Sequence, residues 1–152
     1  MASWAQFAAA EPEFAARVEE RFGIRKHKTM ASLRRDGSPR ISGIETQFED
    51  GELYLGMMPG SRKLDDLLRD PRLALQSPTD DPPPDRPAAW PGEAKIAGTA
   101  AQVPYPGSPV PGATRVRVEI GEVALTHLGE AGDKLVVEWW RPQSGLRRVE
   151  RS

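Results

Sequence analysis

Pro59-Gly60-Ser61-Arg62-Lys63, continued by Leu64-Asp65-Asp66-Leu67-Leu68-Arg69-Asp70-Pro71-Arg72, is the stretch on which the reading of this chain turns. Upstream, Glu52 to Met58 alternates as a strand does. Downstream, Leu64, Leu67 and Leu68 mark the buried side of a short helix. Two breakers end the strand pattern, Ser61 falls where an N-cap belongs, and two adjacent cations open the first turn. The unpaired N–H groups and the positive end of the helix dipole favour an anion there, and Arg62 and Lys63 add charge. Asp65 and Asp66 suit the dipole but weaken that field. A capped surface helix with solvated cations accounts for the same residues. The neighbours have to decide between the two.

Working outward on the upstream side, Lys28 to Arg34 reads as a strand and Asp36-Gly37-Ser38-Pro39 as a turn. Arg40 to Phe48 is the return strand, and its alternation slips. Ile41 lies on one phase, whereas Ile44, Thr46 and Phe48 lie on the other, so a bulge is expected at Ser42-Gly43. Asp50-Gly51 is the next hairpin signal, followed by Leu53, Leu55 and Met57 in alternation. These strands form a meander. On the downstream side, Asp70-Pro71 stops the helix and Arg72 to Ser77 forms a further strand.

Further out, Ser3 to Ala10 is weakly helical, and Pro12 opens a second helix whose Phe14, Val18 and Phe22 draw one apolar stripe up to Gly23. Thr79 to Gly92 holds three consecutive prolines and must be an extended, stiff loop. Its Trp90 covers a core edge or lines a pocket. Lys95 to Val103 is a strand of small residues, with Gly98 placed for a close approach. A second rigid loop, Pro104 to Gly112, leads to Val116, Val118 and Ile120. After a phase shift at Gly121 come Val123 and Leu125, which makes one long bent strand. Leu135, Val137 and Trp139 share one side of a last strand that ends at Arg141-Pro142.

The sum is mainly β with flanking helices, about seven antiparallel strands in a small barrel. A single domain is expected over residues 1–152, with helices in 1–23, the barrel in 24–141 and a basic tail in 142–152. There is no βαβ rhythm, no GxGxxG and no internal repeat.

Composition removes several function classes. A formal net charge of -1 argues against nucleic acid as a partner. No cysteine occurs, which excludes disulfides, thiolate metal sites and cysteine nucleophiles. The two histidines, His27 and His127, are far apart, so neither a histidine metal site nor a serine–histidine hydrolase is supported. No apolar run is long enough to span a bilayer, and the N-terminus lacks signal-peptide order, so a soluble cytoplasmic protein is expected. Any chemistry would reside in a bound cofactor.

The ordered set Asp36-Gly37-Ser38-Pro39, Gly60-Ser61-Arg62-Lys63 and Asp70-Pro71-Arg72-Leu73 resembles the split-barrel flavin-binding family of pyridoxamine 5'-phosphate oxidase and its actinobacterial FMN- or F-420-binding relatives. The resemblance covers roughly residues 25 to 140. It implies a split β-barrel and a flavin- or deazaflavin-dependent oxidoreductase acting on a small molecule, with FMN as the cofactor and F-420 as the alternative. A non-catalytic protein that stores or senses a planar ligand on the same fold is the other implied class. By the same resemblance Arg62 and Lys63 would contact the cofactor phosphate with help from Ser61. Ser42 would contact the cofactor from the second strand, with Thr29, Met30 and Ala31 alongside on the first. Met57 or Met58 would border the ring. Family members are usually homodimers with sites in the subunit interface, so Trp139, Trp140 and Arg141 would reach the partner's site. Vitamin B6 oxidation itself is not expected, because that enzyme carries an arginine near the position of Ser42.

Overall fold

The change from four-residue to two-residue apolar spacing marks where helices give way to sheet, and the computed structural model, which describes residues 1–152, follows it closely. Helix α1 (Trp4–Ala10) starts at a capping box: the Ser3 hydroxyl accepts from the Gln6 N–H and Gln6 Oε1 accepts from the Ser3 N–H. Helix α2 (Pro12–Gly23) begins on its proline and buries Phe14, Val18 and Phe22. Phe7 packs between the helices and the sheet, its ring 5.9 Å from that of Phe14 and 4.9 Å from that of Trp140. No helix is long and apolar enough to cross a membrane.

The strands are β1 (Lys28–Leu33), β2 (Pro39–Ile44), β3 (Thr46–Glu49), β4 (Glu52–Met57), β5 (Arg72–Gln76), β6 (Glu93–Val103), β7 (Thr114–Leu128), β8 (Leu135–Arg141) and β9 (Gly145–Arg151). Helix α3 (Arg62–Arg69) separates β4 from β5. Every pairing is antiparallel, in the order β2-β1-β5-β6-β7-β4-β3, with β8 on the far half of β7 and β9 on β8. Only Glu45 separates β2 from β3 in sequence, yet these two ends of the path share no ladder. The barrel is split there.

Nine strands stand where about seven were expected. Arg40 to Phe48 is two strands rather than one bulged strand. The β1–β2 register runs unbroken from Leu33 opposite Pro39 to Lys28 opposite Ile44, so no bulge exists at Ser42-Gly43. The phase slip is absorbed at Glu45, where the chain leaves β1 and joins β4. The expected basic tail also forms a strand: β9 pairs with β8 from Arg141 opposite Gly145 to Leu135 opposite Arg151. None of its residues is buried, so it carries no apolar alternation to read.

The long bent strand is borne out as β7, paired with β6 along its length and shifted in register between Ala97 and Gly98. A Cβ at Gly98 would overlap the Glu119 carbonyl oxygen, which is the close approach its position suggested. The core gathers Met30, Leu53, Leu55, Leu75, Ile96, Val118 and Ile120 under α1 and α2. Trp90 closes its own loop, donating its indole N–H to the Asp80 carbonyl at 2.7 Å.

Candidate functional site

Gly60 takes a φ of 70°, a conformation that costs an L side chain, and this turns the chain from β4 into α3. The Ser61 N–H donates to the Met58 carbonyl at 3.2 Å, and the Ser61 carbonyl accepts from the Asp65 N–H at 3.2 Å. Ser61 has the extended backbone of an N-cap, but its side chain does not cap the helix. Its Oγ is enclosed and has no hydrogen-bond partner. Such a hydroxyl is costly unless something else satisfies it.

The cations beside it are differently engaged. Lys63 Nζ donates to the Gly43 carbonyl at 2.9 Å, which ties the first turn of α3 to the end of β2. Arg62 is exposed and makes no ion pair, unlike Arg40, Arg69 and Arg72 around it. Arg34, Arg40, Arg62 and Lys63, with Ile41, Ser42 and Ser61, line a recess of about 260 Å³. Four cations around an opening of that size suit a phosphate.

Asp66 fixes this arrangement from beneath. It is buried, and its carboxylate accepts from Ser32 Oγ at 2.9 Å, Arg40 Nε at 2.7 Å and Arg69 Nη2 at 3.0 Å. Burial works to raise its pKa, but the hydrogen bonds from Arg40, Arg69 and Ser32 outweigh it and hold the carboxyl below its ordinary value. Arg69 also donates to the Leu33 carbonyl at 2.7 Å, so α3 is bound to both β1 and β2. Leu68, expected on the buried side, is instead 58% exposed, because the inner face of α3 carries Leu64, Asp66 and Leu67.

A groove of about 390 Å³ adjoins the recess at Lys63, which lines both. Met57 and Met58 line it from the end of β4, and the loop from Tyr105 to Ala113 forms its far wall. Gln47 Nε2 donates to the Tyr105 hydroxyl at 3.0 Å, while Gln47 Oε1 is enclosed and unpartnered. Arg115 lies 3.8 Å above the Tyr54 ring, 5.4 Å from that of Tyr105, and donates to the Pro104 carbonyl at 3.0 Å, which seats the loop on the barrel. A mixed apolar and polar groove therefore lies beside the cation-lined recess.

The expected site residues divide accordingly. Ser42, Ser61, Arg62 and Lys63 come together, and Met57 and Met58 line the adjoining groove. Thr29, Met30 and Ala31 line neither. Met30 is fully buried in the core, while Thr29 and Ala31 point to the opposite face of β1, across from Gly43 and Ile41. Strand alternation separates Trp139 from Trp140 in the same way. Trp140 is a core residue against Phe7, so it cannot hold a cofactor. Trp139 and Arg141 share the outer phase of β8, and Arg141 Nε donates to Glu122 at 2.6 Å. The sequence reading missed Arg34, Arg40, Gln47, Tyr105 and the role of Asp66. The available signal was Ser32, a hydroxyl on the buried phase of β1 that needed a partner.

No family model matches the sequence, and no curated protein matches it. The fold is the split barrel of pyridoxamine 5'-phosphate oxidase-like proteins. A pyridoxamine 5'-phosphate oxidase-related, FMN-binding protein from Nostoc punctiforme superimposes with a TM-score of 0.65 over 97% of this chain and 99% of that one, at 12% identity. PhzG from Burkholderia lata, solved in complex with tetrahydrophenazine-1-carboxylic acid, gives 0.64 over 95% of this chain and 91% of its own, at 11% identity. An F-420 reductase gives 0.53 over 69% of this chain and 94% of its own, at 16% identity. At these identities the likeness is one of fold.

Proposed function

We propose that this protein binds a flavin or deazaflavin cofactor by its phosphate in the Ser42–Ser61–Arg62–Lys63 recess and works as an oxidoreductase on a small molecule. The observation that carries the reading is the enclosed, unpartnered Ser61 hydroxyl at an N-cap, beside an Arg62 that has no carboxylate of its own. A side-chain rotation turns that hydroxyl into the recess, where a phosphate oxygen satisfies it. Solved proteins of the same fold include one described as FMN-binding and one described as an F-420 reductase, which supports this class of ligand. FMN is the first expectation and F-420 the alternative.

In this reading Arg62 and Lys63 neutralise the phosphate, and the bond from Lys63 to the Gly43 carbonyl keeps the ammonium in place. Met57 and Met58 supply an apolar border to the ring, and the Pro104–Gly112 loop limits the groove on its other side. When bound, the cofactor supplies hydride transfer, which accounts for a site without an evident acid–base pair. A homodimer is part of the proposal. Ile41, which is 76% exposed, lies on one outer face with Ala31, Ala74 and Ala97, a row of apolar side chains against which a second copy would pack. Thr29 and Arg141 share that outer side.

The test is addition of FMN or F-420 to purified protein. A change in cofactor fluorescence together with a raised melting temperature is expected for one of them; no change with either rejects the proposal. Reduction of the bound cofactor by NAD(P)H or a reduced partner separates an oxidoreductase from a storage or sensing protein.

A further inference from the structure

Beyond the phosphate recess, a second opening of about 450 Å³ runs along the β1–β2 turn and the outer side of α3. No hydrophobic residue lines it; five arginines and three aspartates do. Arg34, Arg40 and Arg62 border both openings, so the two adjoin.

The charges in this opening are unevenly committed. Arg40 and Arg69 are held by Asp66, which they and Ser32 occupy fully. The Asp36 carboxylate is turned onto Ser38, accepting from its N–H at 2.9 Å and its hydroxyl at 2.6 Å. Those bonds, with a smaller contribution from the Arg34 charge, hold Asp36 below the ordinary carboxylate range, and it makes no ion pair. Arg34, Arg35 and Arg62 make no ion pair, and Asp65 is the one carboxylate beside them that makes no bond. Five guanidinium groups against three carboxylates leave a positive excess. The turn that carries two of them is fixed by the Arg34 N–H to Ser38 carbonyl bond at 2.8 Å and the Gly37 N–H to Arg34 carbonyl bond at 2.9 Å.

We propose that Arg34, Arg35 and Arg62 form a second anion subsite, adjoining the phosphate recess, for a further phosphate or carboxylate carried by the same ligand. The ligand class is then a small organic phosphate with at least one more anionic group, and Arg62 bridges the two subsites. The net charge of -1 favours such a molecule over a nucleic acid. This inference rests on the phosphate reading of Ser61 to Lys63 only for the neighbouring subsite.

Calorimetric titration at low ionic strength with inorganic phosphate and with tripolyphosphate tests it. Wild-type protein is expected to bind tripolyphosphate roughly tenfold or more tighter than phosphate. Arg35→Ala, at the one arginine of the three that does not also border the phosphate recess, is expected to narrow that gap by about threefold or more while leaving phosphate affinity within about twofold, and Arg35→Lys to restore part of it. Arg35 is exposed, so unchanged melting of the variants is the control for folding. A gap unchanged in Arg35→Ala, or absent from wild type, overturns the subsite. A narrowed gap in that variant, with phosphate affinity unaffected by Arg62→Ala and Lys63→Ala, upholds the second subsite and overturns the cofactor-phosphate reading.

Discussion

Replacing Asp66 by asparagine keeps the shape of the side chain and removes one charge, and the structure sets the size of the effect. The carboxylate is 4% exposed and receives three hydrogen bonds, two of them from guanidinium groups. Breaking a buried ion pair from one side costs about 3–5 kcal/mol. Here the partners left behind are 24% and 29% exposed, so Arg40 and Arg69 recover part of their hydration. The loss is therefore placed at the lower end, about 3 kcal/mol, which for a chain of this length corresponds to about 6–12 °C in Tm. Urea denaturation at pH 7 gives the value directly, with an unchanged m showing that only stability has moved. The acid limb supplies a second readout. The folded pKa of Asp66 lies below its unfolded value, so its contribution is complete above the unfolded pKa of about 3.9 and is lost as pH falls through the folded value. Asp66→Asn should remove that segment of the acid limb. A variant within about 0.5 kcal/mol of wild type at pH 7 would refute the claim that Asp66 anchors α3 to the sheet.

Three further outcomes are expected. Arg62→Ala with Lys63→Ala should weaken binding of the cofactor by about 1.5–3 kcal/mol in a fluorescence titration, and unchanged affinity removes the phosphate role. Gly98→Ala should destabilise by about 2 kcal/mol or more in thermal melts, because the new methyl meets the Glu119 carbonyl, which cannot move without parting β6 from β7; wild-type stability would show that the bulge gives way. Ile41→Asp places a charge in the middle of the proposed dimer face and should yield monomers in sedimentation experiments, whereas an unchanged species places the contact elsewhere.

Most of the barrel could be read from the chain because its strands bury one face. Leu53, Leu55 and Met57 on β4, and Val116, Val118 and Ile120 on β7, show the alternation that burial on one side demands. The reading broke where that physics is absent. β9 has no buried residue, and the β2–β3 junction changes partner rather than phase, which looks like a bulge when only one chain segment is in view. The proposed phosphate recess was half legible. Ser61, Arg62 and Lys63 are contiguous in sequence and follow from the rules for helix starts. Arg34 and Arg40 stand across a hairpin, and only the pairing of Ser32 with Arg40 brings them over α3. The members drawn from Thr29 to Ala31 and from Trp140 fell on other faces because a one-residue step along a strand reverses direction.

The late strand β9 has a consequence for how the molecule behaves in a crowd. It pairs with β8 along one edge only and leaves the other edge's amides and carbonyls open. An open edge of this kind is a template for a neighbouring chain, yet Arg147, Arg148 and Arg151 are spaced along it and all are exposed. A second β9 approaching in register brings guanidinium groups against guanidinium groups. The inner strand β8, with Leu135, Val137 and Trp139 on its outward phase, has no such guard of its own. β9 thus serves as a sacrificial border, giving the sheet a polar, self-repelling rim in place of an adhesive one.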